Sequence, residues 1–142
     1  MATVEVTFTP LPAHVRTARL VATAVARRSG VPEALLDEVR LAVGEACSRA
    51  VEAHQLHCPA EPVRIALTDQ AGRFEIEVIN ACSAPGLTHG APAGEPAIVP
   101  PGFSLAVIAG LADDVQISET PAGTSVKMSW PLSDSLAAGS PA

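Results

Sequence analysis

Aromatic residues and lysine are scarce in this chain of 142 residues. There is no tyrosine, one tryptophan and three phenylalanines, and Lys127 is the only lysine. The formal net charge is −6. Nucleic-acid binding draws on clustered basic side chains, commonly interleaved with aromatic rings, and this chain has no such stripe. We therefore expect no direct nucleic-acid partner.

Long hydrophobic runs are also missing. The longest apolar run, residues 105–112, is far shorter than the roughly 20 residues that a membrane-spanning helix needs. The first residues contain neither the basic segment nor the apolar stretch that is typical of a signal peptide. We expect a cytoplasmic protein that does not contact a membrane.

Cysteine is too sparse to support a disulfide framework or a zinc ribbon. Cys47, Cys58 and Cys82 form no C-x-x-C pair and leave one cysteine over. We interpret all three as small buried hydrophobes. His54, His57 and Cys58 are residue types that bind zinc, but a structural zinc site needs four ligands and no second cluster follows. We therefore predict no metal-binding residue.

The composition that remains is that of a globular protein. Apolar residues make up 48% of the chain and charged residues 17%, which is enough apolar surface to offset the conformational entropy of a folded chain. The length suits one domain. We expect that domain over residues 1–132, followed by a flexible tail over residues 133–142, which are small, polar and uncapped.

Two periodicities in the apolar residues predict the secondary structure. Alternation predicts the first three strands and helical spacing the first two helices; a compact Ala-rich apolar segment predicts a third helix, and a turn at residues 121–123 predicts a closing hairpin of two more strands. The strands are centred on residues 3–8, 63–67, 74–78, 115–119 and 124–130, and the helices on residues 12–29, 32–50 and 103–113. Residues 81–102 are rich in proline and glycine and predict a long loop, either a functional lid or a mobile connection. This order of elements predicts a two-layer α/β sandwich, with a mixed, mostly antiparallel sheet and helices packed on one face.

Three features of this pattern allow a functional interpretation. Glu45 and Arg49 stand one helical turn apart, where the simplest interpretation is an exposed ion pair contributing about 0.3 to 0.5 kcal/mol. Gly44, inside the same helix, costs about 1 kcal/mol relative to alanine; it is either tolerated or marks the close approach of another element or of a ligand. Gly102 precedes the third helix, and backbone amides at a helix N-terminus can bind an anion.

Five segments, taken in order, resemble the nucleotide-binding boxes of the histidine-kinase-like (GHKL, Bergerat-fold) ATPases. They are residues 41–49, 78–86, 102–105, 111–115 and 123–124. The resemblance covers about residues 3–131 and is nearest to the RsbW-type anti-sigma-factor serine kinases. It implies a Bergerat-like fold and a bacterial, homodimeric regulator of transcription in the stress response. Such a regulator binds an RNA polymerase sigma factor and is displaced by an anti-anti-sigma protein of the STAS type.

The resemblance also assigns nucleotide-site positions, of which several are altered. Arg49 occupies the place of an asparagine that ligates Mg²⁺, and arginine has only donors. Asn80 occupies the place of an aspartate that accepts a hydrogen bond from the adenine amino group. Cys82 and Ala84 replace two glycines, and each adds a Cβ atom. Ser104 replaces the second glycine of the phosphate loop.

Three other positions retain the family's residue. Glu45 stands at the position of the general base, and Gly102 and Thr124 stand at nucleotide-binding positions. The nucleotide positions are thus Arg49, Asn80, Gly102, Ser104 and Thr124. The cofactor expectation is either none or an ATP bound without magnesium. We expect an anti-sigma factor whose ATP binding is weak or lost; the alternative is an active ATP-dependent serine kinase that phosphorylates the anti-anti-sigma partner, and the sequence leaves open whether the chain is an enzyme.

Overall fold

The computed structural model describes residues 2–80, 103–120 and 123–133. Its elements are, in chain order, β1 (Ala2–Phe8), α1 (Pro12–Ser29), a 3-10 turn (Glu33–Leu35), α2 (Leu36–His57), β2 (Val63–Gln70), β3 (Arg73–Asn80), α3 (Phe103–Leu111), β4 (Asp114–Thr120) and β5 (Gly123–Pro131). The predicted long loop over residues 81–102 and most of the predicted tail lie outside the described residues. Within the described part, no helix is long and apolar enough to cross a membrane.

The five strands form one sheet in the order β1-β2-β3-β5-β4. Each of the four pairings is antiparallel. The β2–β3 connection is a two-residue turn, because the strands pair as far as Gln70 and Arg73. Ala71 and Gly72 have φ values of 55° and 77°, the left-handed backbone that suits the twist of a hairpin. The turn is therefore tighter than the sequence pattern suggested.

One face of the sheet carries the helices, as alternation in the strands predicted. In β2, β3 and β5 the apolar members of the alternation are buried: Val63, Ile65, Leu67, Phe74, Ile76, Val78, Val126, Met128 and Trp130. Helices α1 and α2 pack against each other and on β2 and β3, while α3 packs on α2. The two-layer α/β sandwich is confirmed, and the sheet is antiparallel throughout its described strands.

The ends of α1 follow from its terminal residues. Pro12 occupies the first turn, where its missing N–H costs no helical hydrogen bond. Gly30 follows the last turn with φ 105°, and its backbone N–H donates to the carbonyls of Ala26 and Arg27. The prediction of a helix over residues 12–29 is confirmed.

Helix α2 differs from its prediction at its start. Pro32 does not lie in the helix; its ψ of 141° is extended, and a 3-10 turn over Glu33–Leu35 separates it from the first residue of α2. The helix ends at His57, within the histidine and cysteine cluster that the sequence places at its end. Its buried stripe, predicted from the sequence, includes Val39, Val43 and Ala46.

Helix α3 is fixed to the sheet at its C-terminal end. Ile108 is fully buried, and the indole Nε1 of Trp130 donates to the carbonyl of Leu111 over 3.2 Å. The helix stops at Leu111, two residues before the predicted end. The backbone N–H of Asp113 donates instead to the carbonyl of Ser129, which draws the chain into β4.

Candidate functional site

The first part of the candidate site is one side of α2. Glu45 and Arg49 are separated by one helical turn and are both half-buried. Both side chains stand on a helix that packs against the sheet and against α1 and α3. Each of the two residues takes part in an interaction within the protein. Their backbone is therefore rigid, and their position relative to the sheet is set by the packing of α2.

The second part lies where β3 ends beside β5. Asn80 is the last residue of β3 and pairs directly with Thr124 of β5. Residues opposite each other in an antiparallel pair have Cα atoms roughly 4.5 to 5.5 Å apart. Both are half-buried. The structure thus brings together two of the residues that the sequence assigned to nucleotide binding, although they are 44 positions apart in the chain.

The remaining predicted positions are only partly described. Ser104 is the second residue of α3, whose backbone packs against α2. Its side chain and the whole of Gly102 lie outside the described residues. The positions of Cys82 and Ala84 also lie outside them. The structure describes Glu45, Arg49, Asn80 and Thr124, and the assignment of these and of the other residues to nucleotide binding stays a prediction.

The chemistry of the α2 residues does not fit a magnesium ion. Mg²⁺ takes oxygen ligands in octahedral geometry. The Arg49 guanidinium has five N–H donors, no acceptor and a positive charge, so it repels a divalent cation. Within the described ranges no three side chains of the types His, Cys, Asp and Glu converge. A guanidinium is instead suited to an anion such as a phosphate or a carboxylate.

The histidine and cysteine cluster at the end of α2 has a structural role. His54 is fully buried, and its Nδ1 donates to the carbonyl of Glu61 over 2.8 Å. The backbone N–H of Cys58 donates to the carbonyl of His54. Cys58 is half-buried and disulfide-bonded, so its interpretation as a small buried hydrophobe is wrong. His57 is exposed. The imidazole of His54 therefore holds the α2–β2 connection.

Cys47 behaves as the sequence predicted. Its side chain is fully buried in the core and its thiol is free. Burial raises the pKa of the Cys47 thiol to about 12, because the thiolate would lose its hydration. The interpretation as a small buried hydrophobe is confirmed for this residue.

Gly44 marks a close approach between helices. A Cβ atom built on Gly44 would lie 2.7 Å from Cδ of Arg19, which belongs to α1. The glycine inside the predicted helix signalled such an approach, so this alternative is confirmed over simple tolerance. Nothing in the sequence pattern identified Arg19 as the neighbour, because the contact joins two helices across 25 positions.

A second arginine was also missed. Arg73 at the start of β3 donates from Nη2 to Oδ2 of Asp113 over 2.7 Å, and from Nε to the hydroxyl of Ser129 over 3.2 Å. Asp113 belongs to one of the segments that resemble the family's boxes. In this structure its carboxylate fastens the α3–β4 connection to the sheet.

Comparisons with known proteins identify the family of the chain. The profile of the histidine kinase-like ATPase domain matches residues 8–130. The chain belongs to the histidine kinase-like ATPase family. The match begins at the last residue of β1, ends within β5, and includes every described site residue. No curated protein is significantly similar in sequence.

A solved structure shares the fold of this family member. The chain is similar to a structure of the RsbU and RsbW domains of Rv1364c from Mycobacterium tuberculosis, with a TM-score of 0.69 and 17% sequence identity. The match covers 93% of this chain and 33% of the other, so the chain spans about a third of the length of that protein. At this identity the likeness establishes the fold alone.

Proposed function

We propose that this histidine kinase-like ATPase domain is an anti-sigma factor that works by binding proteins rather than by chemistry on Mg·ATP. It sequesters an RNA polymerase sigma factor in the bacterial cytoplasm and releases it when an anti-anti-sigma partner of the STAS type binds. ATP binding is weak or lost in this proposal. A homodimer and a role in the stress response belong to it as well.

The observation that carries the proposal is Arg49. In the family-wide site this position on α2 supplies an oxygen ligand to magnesium, and a guanidinium cannot supply one. Phosphoryl transfer depends on metal ions that neutralise developing charge and on in-line positioning. The same α2 is otherwise intact and well packed. The fold is retained although its expected magnesium ligand is replaced, and this combination favours protein binding over phosphoryl transfer.

The similar structure supports the anti-sigma part of the proposal. That structure includes an RsbW domain, and the match covers most of the length of the present chain. The sequence resemblance independently points to the RsbW-type branch. If a nucleotide still binds, Arg49 would contact phosphate and Asn80 the base, and Gly102, Ser104 and Thr124 would stand at the remaining nucleotide-binding positions. Such binding would be independent of magnesium.

A panel of purified proteins tests the proposal. Each sigma factor and each STAS-domain protein of the source organism is immobilised, and binding of the full chain is measured by interferometry without nucleotide. We expect one sigma factor to bind with a dissociation constant of micromolar or below, and one STAS protein to compete with it. Binding by none of the sigma factors would overturn the proposal.

One observation favours a second candidate, an active serine kinase. Glu45 is retained at the family's general-base position and lies half-buried one turn from Arg49. In this candidate Arg49 neutralises phosphate charge in place of the metal. Transfer of labelled phosphate from ATP to a STAS-domain serine, lost in Glu45→Ala, would establish it. No transfer to any STAS protein of the panel would eliminate it.

A further inference from the structure

The disulfide bond of Cys58 has one candidate partner within the chain. The sequence contains three cysteines, Cys47, Cys58 and Cys82. Cys47 is a free thiol, whereas Cys58 is disulfide-bonded. Elimination leaves Cys82, which lies outside the described residues, as the partner. Cysteine spacing alone does not determine such a pairing.

The register of β2 and β3 agrees with this pairing. Arg64 of β2 pairs with Ile79 of β3. Counted on by three positions along each chain, the same register makes Glu61 the counterpart of Cys82. The backbone N–H of Glu61 donates to the carbonyl of Cys58 over 3.0 Å, and a turn closed in this way has its first and last Cα atoms within about 7 Å. The described backbone therefore places Cys58 on the side of the sheet where β3 ends.

Hydrogen bonds hold the backbone around Cys58 in place. Nδ1 of the fully buried His54 donates to the carbonyl of Glu61 over 2.8 Å. The backbone N–H of Cys58 donates to the carbonyl of His54, also over 2.8 Å. A disulfide needs Cα atoms roughly 4.4 to 6.8 Å apart, so a fixed backbone on one side favours its formation. The α2–β2 connection is that fixed side.

Solvent access distinguishes Cys58 from Cys47. Cys58 is half-buried, and residues 57 and 59–61 around it are exposed. Cys47 is fully buried, and burial raises the pKa of its thiol to about 12. Thiol–disulfide exchange requires a thiolate and access to a sulfur atom. External thiols can therefore reach the bond at Cys58, whereas Cys47 does not compete for it.

The bond would join two parts of the fold that belong to the candidate site. Cys58 is the residue after α2, the helix that carries Glu45 and Arg49. Cys82 stands two positions after Asn80, the last residue of β3. A covalent link between the two cysteines therefore restrains the Asn80 end of β3 relative to the end of α2.

We propose that Cys58 and Cys82 form a reversible disulfide, a redox switch that ties the Asn80 end of the candidate site to α2 when oxidised and releases it when reduced. The redox role rests on the proposed function in one respect, the cytoplasmic location. Disulfides of cytoplasmic proteins are commonly transient and redox-sensing rather than permanent.

The electrons for opening the bond come from thiols of the glutathione class or from a dithiol reductase. One external thiolate attacks a sulfur of the disulfide, the S–S bond breaks, and a mixed disulfide forms while one cysteine leaves as a thiolate and takes up a proton. A second external thiolate attacks the mixed disulfide and releases the other cysteine. Two external thiols have then become one disulfide, and the chain holds two thiols. Exchange with an external disulfide closes the bond by the reverse steps.

Peptide mapping tests the pairing. Trypsin places the three cysteines in separate peptides, residues 41–49, 50–64 and 74–127. The full chain is incubated with oxidised glutathione, unfolded, alkylated and digested without reductant. We expect peptide 50–64 linked to peptide 74–127, and peptide 41–49 alkylated and alone. Peptide 50–64 unlinked, linked to 41–49 or linked to a second copy of itself would overturn the pairing.

Thermal unfolding with and without dithiothreitol tests the effect of the bond. Reduction should lower Tm by at least about 5 °C, because a link between cysteines 24 positions apart restricts the unfolded chain. Cys58→Ala and Cys82→Ala should each lose this response to dithiothreitol. Cys47→Ala is the matched control and should keep it. A response that persists in both Cys58→Ala and Cys82→Ala would overturn the proposal.

Nuclear magnetic resonance tests whether the bond acts on the site. Reduction should move the backbone amide resonances of residues 78–80 and 124–125, where β3 ends beside β5, and should leave those of the central residues of α1 in place. The same resonances should not respond to reductant in Cys58→Ala. Unchanged resonances at residues 78–80 in the unmodified chain would show that the bond is no switch on the site.

Thiol trapping in the source organism tests reversibility. Cells are quenched in acid, and free thiols are alkylated before the peptides are mapped. We expect Cys58 to be a free thiol during growth and to be disulfide-bonded after addition of diamide, a thiol oxidant. Equal disulfide content with and without diamide would overturn the switch. Binding of no sigma factor in the panel above would instead overturn the proposed function and leave the pairing and its effect on Asn80 as measured.

Discussion

Arg49 is the residue on which the proposed loss of Mg·ATP binding depends. An asparagine there would restore an oxygen ligand for magnesium. We nevertheless expect Arg49→Asn alone to leave Mg·ATP binding undetected by calorimetry. Cys82 and Ala84 still carry Cβ atoms at positions where the resemblance implies glycines that allow the backbone to approach the base.

The matching control combines Arg49→Asn with Cys82→Gly and Ala84→Gly. Any recovery of nucleotide binding should appear only in this triple variant. If the single Arg49→Asn change gives magnesium-dependent affinity, the steric contribution of the two altered glycine positions is refuted.

Because of Cys47, we expect the stability of the folded protein to decrease at alkaline pH. Its pKa is raised to about 12 by burial, against an ordinary value of 9.0. The thiol stays neutral in the folded state, whereas it ionises in the unfolded chain. The contribution of Cys47 to the free energy of unfolding is therefore retained below pH 9 and decreases between pH 9 and 12. The loss is at most about 4 kcal/mol at 1.36 kcal/mol per pKa unit.

Urea unfolding at pH 8 and pH 10 measures this effect. The free energy of unfolding of the unmodified chain should decrease between the two values by more than that of Cys47→Ala. The thiol should also resist iodoacetamide in the folded protein at pH 8 and react after unfolding, as peptide mass spectrometry can show. Equal pH dependence in the two proteins would contradict the assignment.

At the scale of elements, the Arg73–Asp113 contact fixes the α3–β4 connection. The pair is partly exposed, with 36% and 54% of the side chains accessible. Solvent therefore reduces its contribution, although the guanidinium also donates to Ser129. We expect Arg73→Ala to lower the free energy of unfolding by about 1 kcal/mol.

A double-mutant cycle with Asp113→Ala isolates the pair. The coupling energy should be about 0.5 to 1 kcal/mol and should decrease in 1 M NaCl. Ser129 remains in both variants, so it cancels in the cycle. A coupling energy of zero at low salt would show that the contact contributes nothing to the attachment of α3.

Elements with strong local signals were predictable from the sequence. Helix α1 begins at a proline and ends before a glycine in the left-handed conformation, and both residues act within one turn of the helix end. The start of α2 was not predicted, because Pro32 is compatible both with a helical first turn and with the extended conformation that it adopts. The disulfide at Cys58 was missed because spacing does not determine pairing.

At the scale of the whole molecule, contacts between distant segments could not be predicted from local sequence patterns. The strand order β1-β2-β3-β5-β4 brings Asn80 opposite Thr124, and periodicity carries no information on such a pairing. The resemblance to the family nevertheless assigned both residues to one site. The approach of Arg19 to Gly44 was not predicted, since it depends on how α1 crosses α2.

Self-association is the next expectation at this scale. Strand β1 is an edge of the sheet, pairs only with β2 among the described strands, and leaves Val4 40% exposed. An edge without lysine or proline can pair with a second copy.

We expect light scattering to show a dimer at a protein concentration of about 50 µM. The variant that combines Thr3→Lys with Glu5→Lys should be a monomer, because charged side chains at a sheet edge oppose pairing. Thr17→Lys with Glu33→Lys, at exposed positions outside the sheet, is the control. A monomeric unmodified chain would contradict the expectation.

Calorimetric titration of ATP into the purified full chain, with magnesium and again with EDTA, tests the central claim most directly. The claim is that a histidine kinase-like ATPase fold with Arg49 at the metal-ligand position has no use for Mg·ATP. We expect no binding that depends on magnesium. Micromolar binding of ATP that requires magnesium and disappears in EDTA would contradict the account.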